Sequence, residues 1–204
     1  MSTGKRLFDV SFSVLGLLLL SPLFLLVVLT ILVSDGWPVF FRQERVGYRG
    51  RSFRMWKFRT MVRDAERLGQ PLTVGQDARI TRVGHWLRKH KLDELPQLIN
   101  VVRGEMSLVG PRPEVPRYVA RYSPEQQRVL DLVPGITDPA SIAFRDEAGL
   151  LAGCEDPEQV YVERIMPEKI RLNLAYAAKA GVVSDVGVML GTLGVLWGTP
   201  GRDT

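Results

Sequence analysis

From Val10 to Ser34 the chain carries no charged residue, and its core, VLGLLLLSPLFLLVVLTILV, is long enough to cross a bilayer. An ordinary spanning helix is the simplest reading of that hydropathy. Two features point elsewhere. Ser21-Pro22 falls in the middle of the run, where proline removes a backbone hydrogen bond and bends a helix. Both flanks are basic, with Lys5 and Arg6 before the run and Arg42, Arg45, Arg49, Arg51 and Arg54 after it. The bias of Lys and Arg toward the cytoplasmic face would keep both ends on one side of the membrane. A segment that enters, breaks at Ser21-Pro22 and returns meets both constraints, provided that the exposed backbone at the break finds partners. A cleaved signal peptide is not expected, because the apolar core is too long and no small-residue cleavage site follows.

The rest of the chain has to build one core around that segment, since 204 residues suffice for one sizeable core and not clearly for two. A hydrophobic fraction of 46% excludes general disorder. The net charge of +5 calls for an anionic partner: nucleic acid, lipid headgroups or a phosphorylated substrate. Cys154 is the only cysteine, so no internal disulfide can form.

PVFFRQERVG and RSFRMWKFRTM read as two strands around Tyr48-Arg49-Gly50, with aromatic and basic residues interleaved. Headgroup attraction, worth about 1 kcal/mol per basic residue, is the plain explanation of this surface. Nucleic acid would also suit the pattern, but the adjoining apolar run argues against it. A division of labour is expected, with the arginines near the turn facing lipid and Lys57 and Arg59 facing a site. Thr81 to His90 reads as a short helix whose basic side turns Arg88 toward Asp93. His85 and His90 are five residues apart, a poor spacing for a metal pair on a helix.

Asp93 and Glu94 then stand alone behind a basic run of Arg79, Arg82, Arg88, Lys89 and Lys91. Leu95, Leu98, Ile99 and Val102 recur at helical spacing, so a helix is expected from about Asp93 to Gly104, with Pro96 tolerated in its first turn. Taken alone, Asp93 would be an ordinary helix cap worth about 1 kcal/mol. Adjacent helical residues diverge by about 100°, so the two acids should not share a proton and should do different work.

The stretch from Leu92 to Glu114, LDELPQLINVVRGEMSLVGPRPE, resembles the signature of bacterial sugar transferases of the small monotopic phosphoglycosyl transferase type. The resemblance extends over nearly the whole chain and is closest from Trp56 to Thr137. It implies transfer of a sugar phosphate from a UDP-sugar to polyprenyl (undecaprenyl) phosphate, with UMP release. Asp93 would be the nucleophile, forming a phosphosugar-aspartyl intermediate, and Glu94 would hold Mg²⁺. Lys57, Arg59, Arg88 and Arg112, with Pro111 and Pro113 bracketing Arg112, would bind phosphate or nucleotide. The resemblance also implies the re-entrant hairpin at Ser21-Pro22. The expected fold is α+β and mainly helical, with residues 1–36 as the re-entrant membrane element and 37–204 as a cytoplasmic catalytic domain. That domain would lie on the bacterial inner membrane through a small β-hairpin and amphipathic interfacial helices. Expected partners are UDP-sugar, polyprenyl phosphate, anionic lipids and downstream glycosyltransferases, and no nucleic acid.

Toward the C-terminus, Ser123 to Gln126 has a capping-box pattern and opens a helix expected to reach about Val133. Asp138-Pro139-Ala140-Ser141-Ile142 departs from the usual glycine-initiated family stretch. Asp156-Pro157 caps a helix expected to run past Pro167 to about Ala180. Asn173 stands where many family members carry an acid, three residues before Tyr176, and Asp185 and Thr192 keep the family spacing beyond it. Val186 to Thr199 is uncharged but too short to span, and with Trp197 it should lie in the membrane interface. The rival reading is a non-catalytic basic scaffold on the membrane surface. It leaves the isolated Asp93-Glu94 pair unexplained. A nucleotide-sugar hydrolase is a third, and requires water to reach the intermediate.

Overall fold

A computed structural model describes residues 2–68, 72–75 and 77–197. In it the uncharged run forms two helices. α1 (Thr3–Leu19) and α2 (Ser21–Ser34) meet at Leu20 with a 60° bend. Pro22 lies in the first turn of α2, where its missing N–H has no helical partner to lose. Ser21 Oγ donates to the Leu18 carbonyl at 2.8 Å, satisfying one of the groups freed at the break. No single helix among the described residues is long and apolar enough to cross a membrane, whereas the bent pair passes that test together. The arms form an open V rather than lying side by side. One side of the V packs on protein through Asp9, Ser13, Val27 and Ile31, while Leu7, Leu18, Leu19, Leu25 and Leu29 are exposed. An apolar surface of this kind marks an interaction with lipid or a partner.

β1 (Phe40–Val46) and β2 (Ser52–Phe58) form an antiparallel hairpin in which Phe41 faces Lys57 and Arg45 faces Phe53. Alternation places Gln43, Arg45, Met55 and Lys57 on one face, and Met55 on that face is fully buried. α3 (Arg82–Lys89) follows, capped by Thr81 Oγ1, which accepts from Gly84 N at 2.9 Å. The same hydroxyl donates to Asp35 Oδ2 at 2.9 Å and ties the start of α3 to the end of α2.

The helix expected from Asp93 begins later. Leu92–Glu94 is a 3-10 turn, and α4 (Gln97–Arg103) starts after Pro96. Pro96 has no N–H to offer the Leu92 carbonyl, which takes its bond from Leu95 at 3.2 Å and tightens the turn. α4 ends as expected at Gly104, whose φ of +85° suits glycine.

β3 (Ser107–Val109) pairs in parallel with β4 (Gly135–Thr137), and α5 (Pro116–Val119) lies between them in sequence. The helix expected from Ser123 is a 3-10 segment, Gln126–Asp131, although the capping box forms: Ser123 N donates to Gln126 Oε1 and Gln126 N to Ser123 Oγ. After α6 (Pro139–Ala143) and α7 (Glu147–Ala152), α8 (Pro157–Val160) passes through a π turn at Tyr161–Ile165 into α9 (Met166–Ala177). α10 (Val182–Trp197) closes the described chain, while the Trp197 side chain and residues 198–199 lie outside what is described.

The V is joined to the rest by apolar and polar contacts. Val27 and Ile31 share a core with Val39, Phe58 and Leu87. Lys5 bridges Asp9 at 2.6 Å and Asp185 at 2.9 Å, Ser107 Oγ donates to Asp9, and the Tyr176 hydroxyl donates to Asp185 at 2.7 Å. This satisfied buried network links α1, β3, α9 and α10, and it explains the spacing of Tyr176 and Asp185 as structural. The architecture is α+β and mostly helical, as expected, with a second, parallel pair of strands that joins the SLV and GIT segments.

Candidate active site

The 3-10 turn at Leu92–Glu94 presents the two acids in opposite circumstances. Glu94 is surrounded by cations. Lys57, from the inner face of β2, reaches its Oε1 at 2.9 Å, and Arg112 makes a two-pronged contact with both oxygens, 3.0 Å from Oε2. Burial opposes the charged form of Glu94, but Arg112 and then Lys57 outweigh it and hold the carboxyl well below its usual range. Arg112 is correspondingly stabilised as the cation by Glu94. Burial lowers the Lys57 pKa, and Glu94 works against that shift.

Asp93 is only 6% exposed and has no such partners. Its Oδ1 is enclosed without a hydrogen bond, so it caps no helix, and the ordinary-cap reading fails. Burial, then the neighbouring Glu94 charge, raise its pKa, against the pull of Lys57, Arg88 and Lys91. An uncommitted carboxylate inside a ring of cations is destabilised in its resting state and electrostatically suited to meet a phosphoryl group.

Pro111 and Pro113 are anchored on both sides of Arg112. The Pro111 carbonyl accepts from Gly135 N at 3.0 Å, and the Pro113 carbonyl accepts from Arg45 at 3.0 Å. Arg45 also contacts Glu114 at 3.4 Å, and the Tyr161 hydroxyl donates to the other Glu114 oxygen. A cavity of about 50 Å³ lies beside this loop, with Arg112, Glu114, Tyr161, Lys169 and Asn173 among its lining residues. Arg45, Glu114 and Tyr161 were not assigned to the site from sequence. Arg45 shares one face of the hairpin with Lys57, a placement set by the pairing register. The Tyr161 contact bridges 47 residues and has no local sequence signal.

Arg88 lies near Asp93 without forming an ion pair. Its Nε donates to Thr60 Oγ1 at 2.9 Å, and Asp93 is the foremost charge opposing the effect of burial on its guanidinium. The structure does not bring Arg59 to this cluster. β2 ends at Phe58, so strand alternation no longer governs Arg59, and its guanidinium donates to the Asp35 and Gly36 carbonyls at 2.7 and 2.8 Å. The carbonyl end of α2 is a favourable place for a cation. Ser21 and Pro22 lie at the bend between α1 and α2, apart from this cluster in role.

Among the described residues, no group of three or more acidic, His or Cys side chains is placed to hold a metal ion. That donor set excludes an all-protein cage there, but it does fit Mg²⁺, which binds through one or two carboxylates together with substrate phosphates and water. Glu94 would be the carboxylate for that role, although Lys57 and Arg112 occupy both of its oxygens here.

The chain matches the family described as bacterial sugar transferase over residues 1–199. It is 40% identical over 159 residues to the exopolysaccharide production protein ExoY of Sinorhizobium fredii, covering 71% of this chain and 70% of that protein. It is 44% identical over 153 residues to the undecaprenyl-phosphate glucose phosphotransferase of Komagataeibacter xylinus, covering 68% of this chain and 27% of the relative. With the UDP-glucose:undecaprenyl-phosphate glucose-1-phosphate transferase of Xanthomonas campestris it shares 36% identity over 192 residues, 92% of this chain and 37% of the relative. The chain thus spans well under half the length of the last two.

Proposed function

Because the chain belongs to the bacterial sugar transferase family, we propose that it transfers a sugar 1-phosphate from a UDP-sugar to polyprenyl phosphate in glycoconjugate or exopolysaccharide synthesis. The observation that carries this reading is the uncommitted Asp93 carboxyl beside a Glu94 already neutralised by Lys57 and Arg112. Lys57 and Arg112 receive the diphosphate and orient it, with Arg45 holding the Arg112 loop through Pro113 and Glu114. An Asp93 oxygen then attacks the β-phosphorus. A phosphorus–oxygen bond forms to Asp93, the bond to the leaving phosphate breaks, and UMP departs with the bond's electron pair. A phosphate oxygen of the lipid acceptor attacks the same phosphorus in a second displacement, which frees the Asp93 carboxylate and leaves a polyprenyl diphosphate sugar. Mg²⁺ held by Glu94 would supply charge neutralisation at the diphosphate. The apolar side of the V and α10 would hold residues 37–204 on the cytoplasmic face of the inner membrane, where anionic lipids and downstream glycosyltransferases are the expected neighbours.

Purified protein given a panel of UDP-sugars, Mg²⁺ and polyprenyl phosphate should release UMP and form lipid-linked sugar, and EDTA should stop both. UMP without lipid product would indicate a hydrolase, and neither product would favour the scaffold reading.

A re-entrant topology with both ends cytoplasmic follows from the basic flanks on either side of a run that breaks at Ser21-Pro22. Cysteines placed at Ser2 and Ser52 in a Cys154→Ser background should both resist an impermeant maleimide in intact cells. Labelling at Ser2 alone would mean that the bent pair crosses the membrane.

A further inference from the structure

Lys91 opens the turn that carries Asp93 and Glu94, and it does so in the left-handed backbone region, at φ +54°. Glycine adopts that conformation freely, whereas lysine holds it against its own Cβ. The side chain is exposed and has no hydrogen bond or ion pair among the described residues. The neighbouring cations are committed: Lys57 and Arg112 to Glu94, Arg45 to Glu114, and Arg88 to Thr60. Lys91 is therefore an unengaged ammonium whose charge bears on both acids, kept at a position where its backbone gains nothing.

Its surroundings indicate what it meets. Leu92 and Leu95, on either side of the acids, pack on the buried cluster that Val27 and Ile31 of α2 form with Val39, Phe58 and Leu87, so the turn shares its core with one arm of the bent apolar pair. On the other side of Lys91, α3 exposes Trp86, with the His90 ring 5.0 Å from it. Lys91 is thus the exposed residue that joins α3, with its exposed Trp86, to the turn that carries the acids. A nucleotide diphosphate from solvent is matched by the enclosed pair of Lys57 and Arg112. A phosphate tethered to a long hydrocarbon chain has to approach along α2. We propose that Lys91 captures the phosphate monoester of the lipid acceptor and delivers it to the phosphorylated Asp93. This assignment rests on the function proposed above. A lysine suits the task because its three donors rotate on a flexible stem and can follow a moving phosphate.

The test uses the full chain in nanodiscs, with farnesyl phosphate as a short-chain binding probe. Lys91→Gly should weaken farnesyl phosphate binding and raise the KM for polyprenyl phosphate about tenfold, the loss expected for one charge-assisted hydrogen bond. The KM for UDP-sugar should stay within about twofold, because a residue that binds only the acceptor does not hold the donor. The melting temperature should hold or rise, since glycine relieves the backbone, and Lys91→Arg should retain acceptor binding. Unchanged farnesyl phosphate binding in Lys91→Gly overturns the proposal. Equal losses for donor and acceptor overturn it too, by assigning the lysine to the donor or to the fold. If the unmodified protein transfers no sugar phosphate while Lys91→Gly still weakens farnesyl phosphate binding, the proposed function falls and the Lys91 site stands.

Discussion

Asp93→Asn protein is expected to fold and yet to lose turnover by on the order of 10⁴-fold or more, because an amide cannot form the phosphoryl bond. The fold should survive because Asp93 caps nothing and its Oδ1 has no partner to lose. Its stability should even exceed that of the unmodified protein near neutral pH. The sign follows from the raised pKa of Asp93, set by burial and then by Glu94. Over the interval between the unfolded carboxyl value, about 3.9, and the higher folded value, the folded state binds more protons, so stability falls as pH rises. The asparagine variant escapes that loss. Its advantage should be absent at strongly acid pH, grow through the interval and stay constant above it. Glu94 behaves oppositely: its depressed pKa contributes stability above the normal carboxyl range that is lost as pH falls through the folded value. Melting curves from acid to neutral pH, with UMP release measured alongside, check both. Near-normal transfer by folded Asp93→Asn protein would end the covalent reading, and a lower melting temperature at neutral pH would show Asp93 to be structurally engaged.

Gly84→Ala should give the largest stability loss of any single methyl addition in α3. A Cβ at Gly84 would stand 2.0 Å from the Thr60 carbonyl oxygen and 2.7 Å from its carbon, against backbone that cannot swing aside. Helix and strand end would have to part by more than an ångström, at a cost of about 3 kcal/mol, or roughly 10 °C in melting temperature. The damage should reach the site, because Thr60 also holds Arg88, the cation beside Asp93. Gly187→Ala is the control, since nothing lies within 4 Å of its added carbon and α10 should gain helix propensity. Equal melting temperatures for the two variants would show that α3 does not rest on the Thr60 backbone as described.

Much of the site was readable in advance because its signals are local. Asp93, Glu94 and the Pro111–Pro113 turn lie within one short stretch, and Lys57 is set by strand alternation. Arg59 shows where alternation ceases to inform. One residue beyond the end of β2, its direction is decided by the carbonyls of Asp35 and Gly36, which are far away along the chain. Arg45 shows the converse. Its inward face follows from the register across Tyr48–Gly50, and that register exists only once the hairpin has closed.

By itself the sequence determined the broken apolar run, the two-stranded hairpin, the isolated acid pair and the family, because each depends on residue types at short spacing. Tertiary structure alone decided that Pro96 tightens the Asp93 turn, that both Glu94 oxygens are taken by Lys57 and Arg112, and that Asp93 is left without a partner. It also decided that Glu114 and Tyr161 brace the loop from behind. Those outcomes depend on which buried groups find partners across distant segments, and the cost of an unpaired buried group depends on the packed interior, not on the order of residues along the chain.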